Sequence, residues 1–154
     1  MSKVGLTTKI WVLVCDGHKA LILQNAGDRV YPKLEAREMF EHKEHQSRDL
    51  GSDAPGRSHS SSTDRRSSVD QADLHRLEDD EFLKRVAAHV DRAVTGGQIE
   101  KLILVAPAHA IGLLRRAFSP TVRKAIEAEV ERDYVQLPLY EMEKHLNHYF
   151  AELS

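Results

Sequence analysis

Residues 41–73, EHKEHQSRDLGSDAPGRSHSSSTDRRSSVDQAD, separate two halves of this 154-residue chain whose apolar side chains repeat with different periods. Leu50 and Val69 are the only large aliphatic residues in that stretch. Such a composition buries too little apolar surface to offset the entropy of ordering it, so the segment is expected to be a flexible polar loop. A chain of this length supports one core, which makes the loop an insert within a single domain, 1–154, rather than a linker between two. Long inserts in compact domains tend to carry function, and 41–73 is the first candidate surface.

Before the loop the pattern is that of strands. Residues 9–16, KIWVLVCD, form a β-rich apolar run closed by the turn signal Asp16-Gly17, and Ala20 to Gln24 form a second run, so the two predict a hairpin. After the turn Ala26-Gly27-Asp28, Arg29 to about Phe40 reads as a less regular third strand interrupted by Pro32.

Past the loop the period becomes helical. Leu83, Val86, Ala87, Val90, Ala93 and Val94 recur at three- and four-residue steps, with Asp70 or Asp73 as N-cap and Gly96-Gly97 as the stop. Ile99 to Val105 is a buried strand pattern, and Pro107 opens a helix with Ile111, Leu114 and Phe118 on one face. Ser119-Pro120 is an N-cap followed by proline at the first helical position, which predicts a helix striped by Val122, Ile126 and Val130. Tyr134 to Leu139 is assigned to a fifth strand and 140–152 to a last helix. The expected order is a three-strand antiparallel meander, then alternating helices and parallel strands joined by right-handed crossovers. That is the order of a single RNase H-like α/β domain with a long polar loop before its first long helix.

A formal net charge of -2 and a sequence pI near 6.5 exclude the strongly basic footprint of a dedicated DNA-binding domain, so no DNA partner is expected. Cys15, the only cysteine, sits in an apolar strand pattern and suits a reducing compartment. The longest apolar stretch, Leu102 to Leu114, is broken by Pro107 and His109 and is too short to span a bilayer. Together with the lack of an opening signal segment this predicts a cytoplasmic protein with no membrane partner. One core consumes every apolar stripe, so no face demands a dimer and the oligomeric state is left open.

Several residue sets bear on chemistry. A metal-dependent nuclease needs converging carboxylates, and Asp16 at the end of strand one with Glu78 or Glu81 on the first helix are the candidates. The fourth strand ends Val105-Ala106-Pro107 without an acid, and Asp16 beside Gly17 is explained as a turn residue. Glu141, His145 and His148, at i, i+4 and i+7 of the last helix, could share one face as metal ligands. His42 and His45 with Glu41 or Glu44 make a weaker set. Neither matches a closed zinc motif, and no cofactor is implied. His109, near a helix N-terminus, could face a ligand. In the loop, Arg57, Arg65 and Arg66 interleave with serines such as Ser58 and could bind phosphates, although acids including Asp49 dilute the positive field.

Four segments, WVLVCDGHKA, DLGSDAPGR at Asp49 to Arg57, LILVAPAHAIGLLRRAFSP and ERDYVQLPL, resemble the bacterial host attachment family over nearly the whole chain. The resemblance implies the RNase H-like fold of the middle domain of archaeo-eukaryotic peptide-chain release factors. It also implies a link to RNA or the ribosome through the 41–73 loop, and a role in attachment to host cells. Release factors act through a Gly-Gly-Gln loop, and this chain contains Gly96-Gly97-Gln98. Here the tripeptide follows a helix instead of preceding one, where a glycine pair serves as a cap. The expectation is therefore a non-enzymatic binding module, with a metal-dependent hydrolase or a direct adhesion factor as the alternatives.

Overall fold

The computed structural model describes residues 4–42 and 61–153, with backbone alone for 61–70. Five strands form one sheet: β1 (Trp11–Cys15), β2 (Lys19–Asn25), β3 (Leu34–Glu41), β4 (Leu102–Ala106) and β5 (Ile126–Glu131), in the order β3-β2-β1-β4-β5. The β1-β2 and β2-β3 pairs are antiparallel, and β1-β4 and β4-β5 are parallel. Helix α1 (Ser61–Thr95) crosses from the meander to β4, α2 (Ala108–Ala117) and α3 (Pro120–Ala125) link β4 to β5, and α4 (Leu139–Leu153) ends the chain. The meander with later parallel additions is as the sequence predicts.

The side-chain alternation of β1 divides the core. Trp11, Leu13 and Cys15 face one cluster with Leu83, Val86 and Val90 of α1 and Ile111 and Leu114 of α2. Val12 and Val14 face the other with Met142, Leu146 and Phe150 of α4. A sheet buried on both faces explains why β1 and β4 read as continuous apolar runs.

Three expectations are corrected. Helix α1 begins at Ser61, so 61–73 is helix rather than loop, and Asp70 and Asp73 lie inside it rather than capping it. Serines and aspartates are poor interior helix residues, but each costs only tenths of a kcal/mol, roughly up to 0.7, and a helix anchored on the sheet further along can extend through them. Of the rest of the expected loop, Glu41 ends β3, His42 bonds to His18, and 43–60 lie outside the described residues. The second correction concerns the fifth strand, which is Ile126–Glu131 rather than Tyr134 to Leu139. Helix α3 stops at Ala125. Val122, Ile126 and Val130 are four apart, and a spacing of four keeps one face in a strand as well as in a helix, so the stripe did not discriminate. The decisive pattern was the strict alternation Ile126-Glu127-Ala128-Glu129-Val130-Glu131, an edge strand carrying charge. Third, β3 starts at Leu34, after Pro32 rather than through it. The Leu34 N–H is taken by the Glu143 carboxylate of α4 at 2.6 Å.

Two of the expected helix ends are found, the start of α3 and the end of α1. Ser119 Oγ accepts from Val122 N at 3.3 Å with Pro120 following. At the end of α1, Gln98 N donates to Ala93 O and Gly97 N to Val94 O, the two bonds of a Schellman cap, with Gly97 at φ +88. Gly96-Gly97-Gln98 thus has a complete local explanation.

Candidate functional site

The turn after β1 is fixed by Asp16, whose Oδ1 accepts from His18 N at 2.8 Å and Lys19 N at 2.9 Å. His18 therefore sits at the hairpin tip. The β2-β3 ladder ends with Lys19 opposite Glu41, and His42 N donates to His18 O at 2.7 Å, continuing the pairing by one residue. Register thus sets His18 and His42 opposite each other, with ring centroids 6.0 Å apart and planes 24° from parallel.

From α1, Glu78 and Asp79 reach the same place. Asp79 Oδ1 lies 3.3 Å from His18 Nδ1 and 3.8 Å from His42 Nε2, and Glu78 Oε1 lies 3.9 Å from His42 Nε2. Asp79 precedes Phe82 and Leu83 by three and four residues and so continues their sheet-facing stripe. Phe82 stacks on the His42 ring at 5.8 Å between centroids, fixing its orientation. Gly17 makes the approach possible, since a Cβ there would stand 2.8 Å from Asp79 Cγ and Oδ2. The side chains of His42, Glu78 and Asp79 are only 12%, 19% and 25% exposed, against 41% for His18. His42 Nε2 and Glu78 Oε1 are shielded from solvent and make no hydrogen bond among the described residues.

Next to this cluster an open groove of about 520 Å³ is lined by Ala72, His75, Arg76, Asp79 and His109. His109, in the first turn of α2, holds Asp80 Oδ1 at 2.9 Å. The groove lies beyond the carboxyl ends of the parallel neighbours β1 and β4, the edge at which open α/β sheets bind ligands. Beneath it, burial pushes the Cys15 thiol far up, with the Asp16 charge adding to the shift, so Cys15 is a packed hydrophobe and not a nucleophile.

Residues 11–146 match a family model described as "Protein required for attachment to host cells". The chain belongs to this host attachment family. No curated protein matches it. Similar solved structures include a crystal structure of an archaeal translation termination factor, at 12% identity and TM-score 0.47, covering 94% of this chain and 39% of that one. Another, described only as an archaeal protein, has 11% identity and TM-score 0.45, with 94% and 38% covered. The chain thus spans about two fifths of the length of each.

Within the host attachment protein, the residues singled out from sequence fall in different places. Glu78 joins the cluster, whereas Glu81 is 63% exposed and pairs with Lys84 at 3.5 Å. Asp16 commits an oxygen to its own turn. His145 pairs with Glu141 at 3.7 Å but His148 with Glu152 at 3.2 Å, so the three α4 residues do not converge. His42 is at the cluster without Glu41, which is exposed on β3, while His45 and Glu44 lie outside the described residues. Asp49, Arg57 and Ser58 lie outside them too, and Arg65 and Arg66 are placed by backbone alone, in the early turns of α1. Sequence reasoning missed His18 and Asp79. The available signals were a carboxylate on the apolar stripe of α1 and two histidines placed opposite each other by the meander's register.

No described helix is long and apolar enough to cross a membrane.

Proposed function

We propose that this host attachment family protein is a cytoplasmic, non-enzymatic binding module of RNase H-like architecture that engages RNA, including ribosomal RNA, and contributes to attachment indirectly. The observation that carries the reading is the groove at the carboxyl edge of β1 and β4. Arg76, His75 and His109 border it, and a guanidinium with flanking imidazoles suits phosphate oxygens better than an apolar ligand. Arg65 and Arg66 precede Arg76 on the same helix and add to its positive charge. The sheet order β3-β2-β1-β4-β5 supports the architecture.

Sedimentation of tagged protein from lysate through a sucrose gradient, at low and high salt and with and without ribonuclease, tests this reading. Co-migration with ribosomal particles or RNA that salt and ribonuclease abolish is the expected result. The triple variant Arg65→Ala, Arg66→Ala, Arg76→Ala should sediment alone and show a flatter salt dependence in direct RNA titration. Recovery of the wild-type protein at the top of every gradient refutes the proposal.

A further inference from the structure

We infer that His18, His42 and Asp79, with Glu78 beside them, form a binding site for a first-row divalent metal ion, with Zn²⁺ as the best fit. The inference goes beyond the RNA reading and does not depend on it.

Three features point to the ion. One ligand atom from each of His18, His42 and Asp79 lies within 4.8 Å of the other two, the only such group among the described residues. Ligands about 2.0–2.2 Å from a tetrahedral zinc stand roughly 3.3–3.5 Å from one another. The His18–Asp79 and His42–Asp79 separations of 3.3 and 3.8 Å therefore need to close by only a few tenths of an ångström at most. Second, His42 Nε2 and Glu78 Oε1 are out of solvent and hydrogen-bonded to nothing described, yet they stand 3.9 Å apart. Buried polar groups in that condition cost about 1–3 kcal/mol each unless something satisfies them, and a cation between them satisfies both. Third, the backbones of His18 and His42 are fixed by the Asp16 turn and by the bond from His42 N to His18 O, and the His42 ring stacks on Phe82.

The donor set also selects the class of ion. Two imidazoles and one or two carboxylates, without thiolate, suit Zn²⁺ and its divalent neighbours and do not suit Ca²⁺ or Mg²⁺, which take oxygen ligands. The three ligands clamp the β1-β2 hairpin, the end of β3 and the middle of α1 together, while Glu78 stands 3.9 Å from His42 Nε2 and outside the group of mutually close ligand atoms. None of the α4 histidines takes part.

The test is titration of the full-length chain, stripped with a chelator, using Zn²⁺ by calorimetry and Co²⁺ by visible absorption. The expected result is a single equivalent of each ion, a Co²⁺ d–d spectrum of four-coordinate intensity, and a rise in Tm on Zn²⁺ addition. Asp79→Asn and His42→Gln should each weaken binding by at least about 100-fold, the upper end of what losing an outer-shell partner costs. The control His145→Ala, His148→Ala should bind as wild type. Circular dichroism establishes that each variant is folded, and His18→Gln replaces either one that is not. Absence of binding to the wild-type chain, binding unchanged by the cluster variants, or binding lost in the α4 control overturns the inference. None of these readouts contains RNA, so its failure and that of the RNA reading are told apart.

Discussion

Gly17→Ala is the substitution whose effect should depend most sharply on one neighbour. The new Cβ would lie 2.8 Å from Asp79 Cγ and Oδ2 and 3.0 Å from Asp79 Cβ, where carbon atoms normally stop at roughly 3.5 Å. Turning Asp79 about χ1 moves its carboxylate but not its Cβ, so α1 or the hairpin must also give way. Overpacking of this kind costs about 1–3 kcal/mol. Gly97 is the only described glycine at positive φ, so at position 17 alanine is otherwise permitted and should gain about 0.4–1 kcal/mol by restricting the unfolded chain. The net expectation is a loss of about 1–2 kcal/mol, or a Tm lowered by roughly 2–8 °C for a domain of this size. In an Asp79→Ala background two of the three close contacts are gone, and the same substitution should become nearly neutral. Urea denaturation with chelator present, followed by fluorescence of the single tryptophan, Trp11, measures the cycle. A coupling of about 1 kcal/mol or more is expected; additivity within roughly 0.5 kcal/mol would show that Asp79 does not pack on the turn as described.

Asn25 is the one buried polar residue among those described, and its side chain bonds the backbone of Leu6, Thr7, Asp28, Gly27 and Lys33. Asn25→Ala should cost about 3 kcal/mol or more in chemical denaturation, since it strands several partly buried groups at once, and a loss under about 1 kcal/mol would contradict this. Gly97→Ala should destabilise by about 1–2 kcal/mol through its left-handed backbone, whereas Gln98→Ala should fall within about 0.5 kcal/mol of wild type, as a cap and not a catalytic tripeptide requires. The raised Cys15 thiol binds its proton more tightly folded than unfolded, so its contribution is complete below the ordinary thiol value of about 8.5 and is lost progressively above it. Stability measured from pH 8 to 10 should therefore decline, and that part of the decline should vanish in Cys15→Ala.

The sheet was legible because its central strands, buried on both faces, are short β-branched apolar runs bounded by turn signals. WVLVC and LILVA contain no polar residue, and the turn, cap and stop signals at Asp16-Gly17, Ser119-Pro120 and Gly96-Gly97 act through neighbours one to five residues away. What failed depended on context from elsewhere in the fold. The serine-rich start of α1 has no apolar face to reveal it as a helix. The stretch from Val122 to Val130 fits two periods, and only the edge of β4 selects the strand.

The cluster at the sheet edge lay at the limit of what a single sequence reveals. Once β2 and β3 are paired so that Lys19 meets Glu41, His18 must meet His42, and this follows from residue numbers alone. Asp79 is harder, because on a helix rich in acids one more carboxylate reads as solvent-facing. Its position three and four residues before Phe82 and Leu83 places it on the sheet side, and an acid there must either disrupt the packing or meet a partner. The partners are the two histidines, and the absence of a Cβ at Gly17 lets the carboxylate reach them. A hairpin turn that looks like ordinary chain reversal is therefore also the seat of an approach that a larger residue would crowd. The approach of that carboxylate thus rests on the glycine, while Asp16 beside it commits an oxygen to the turn.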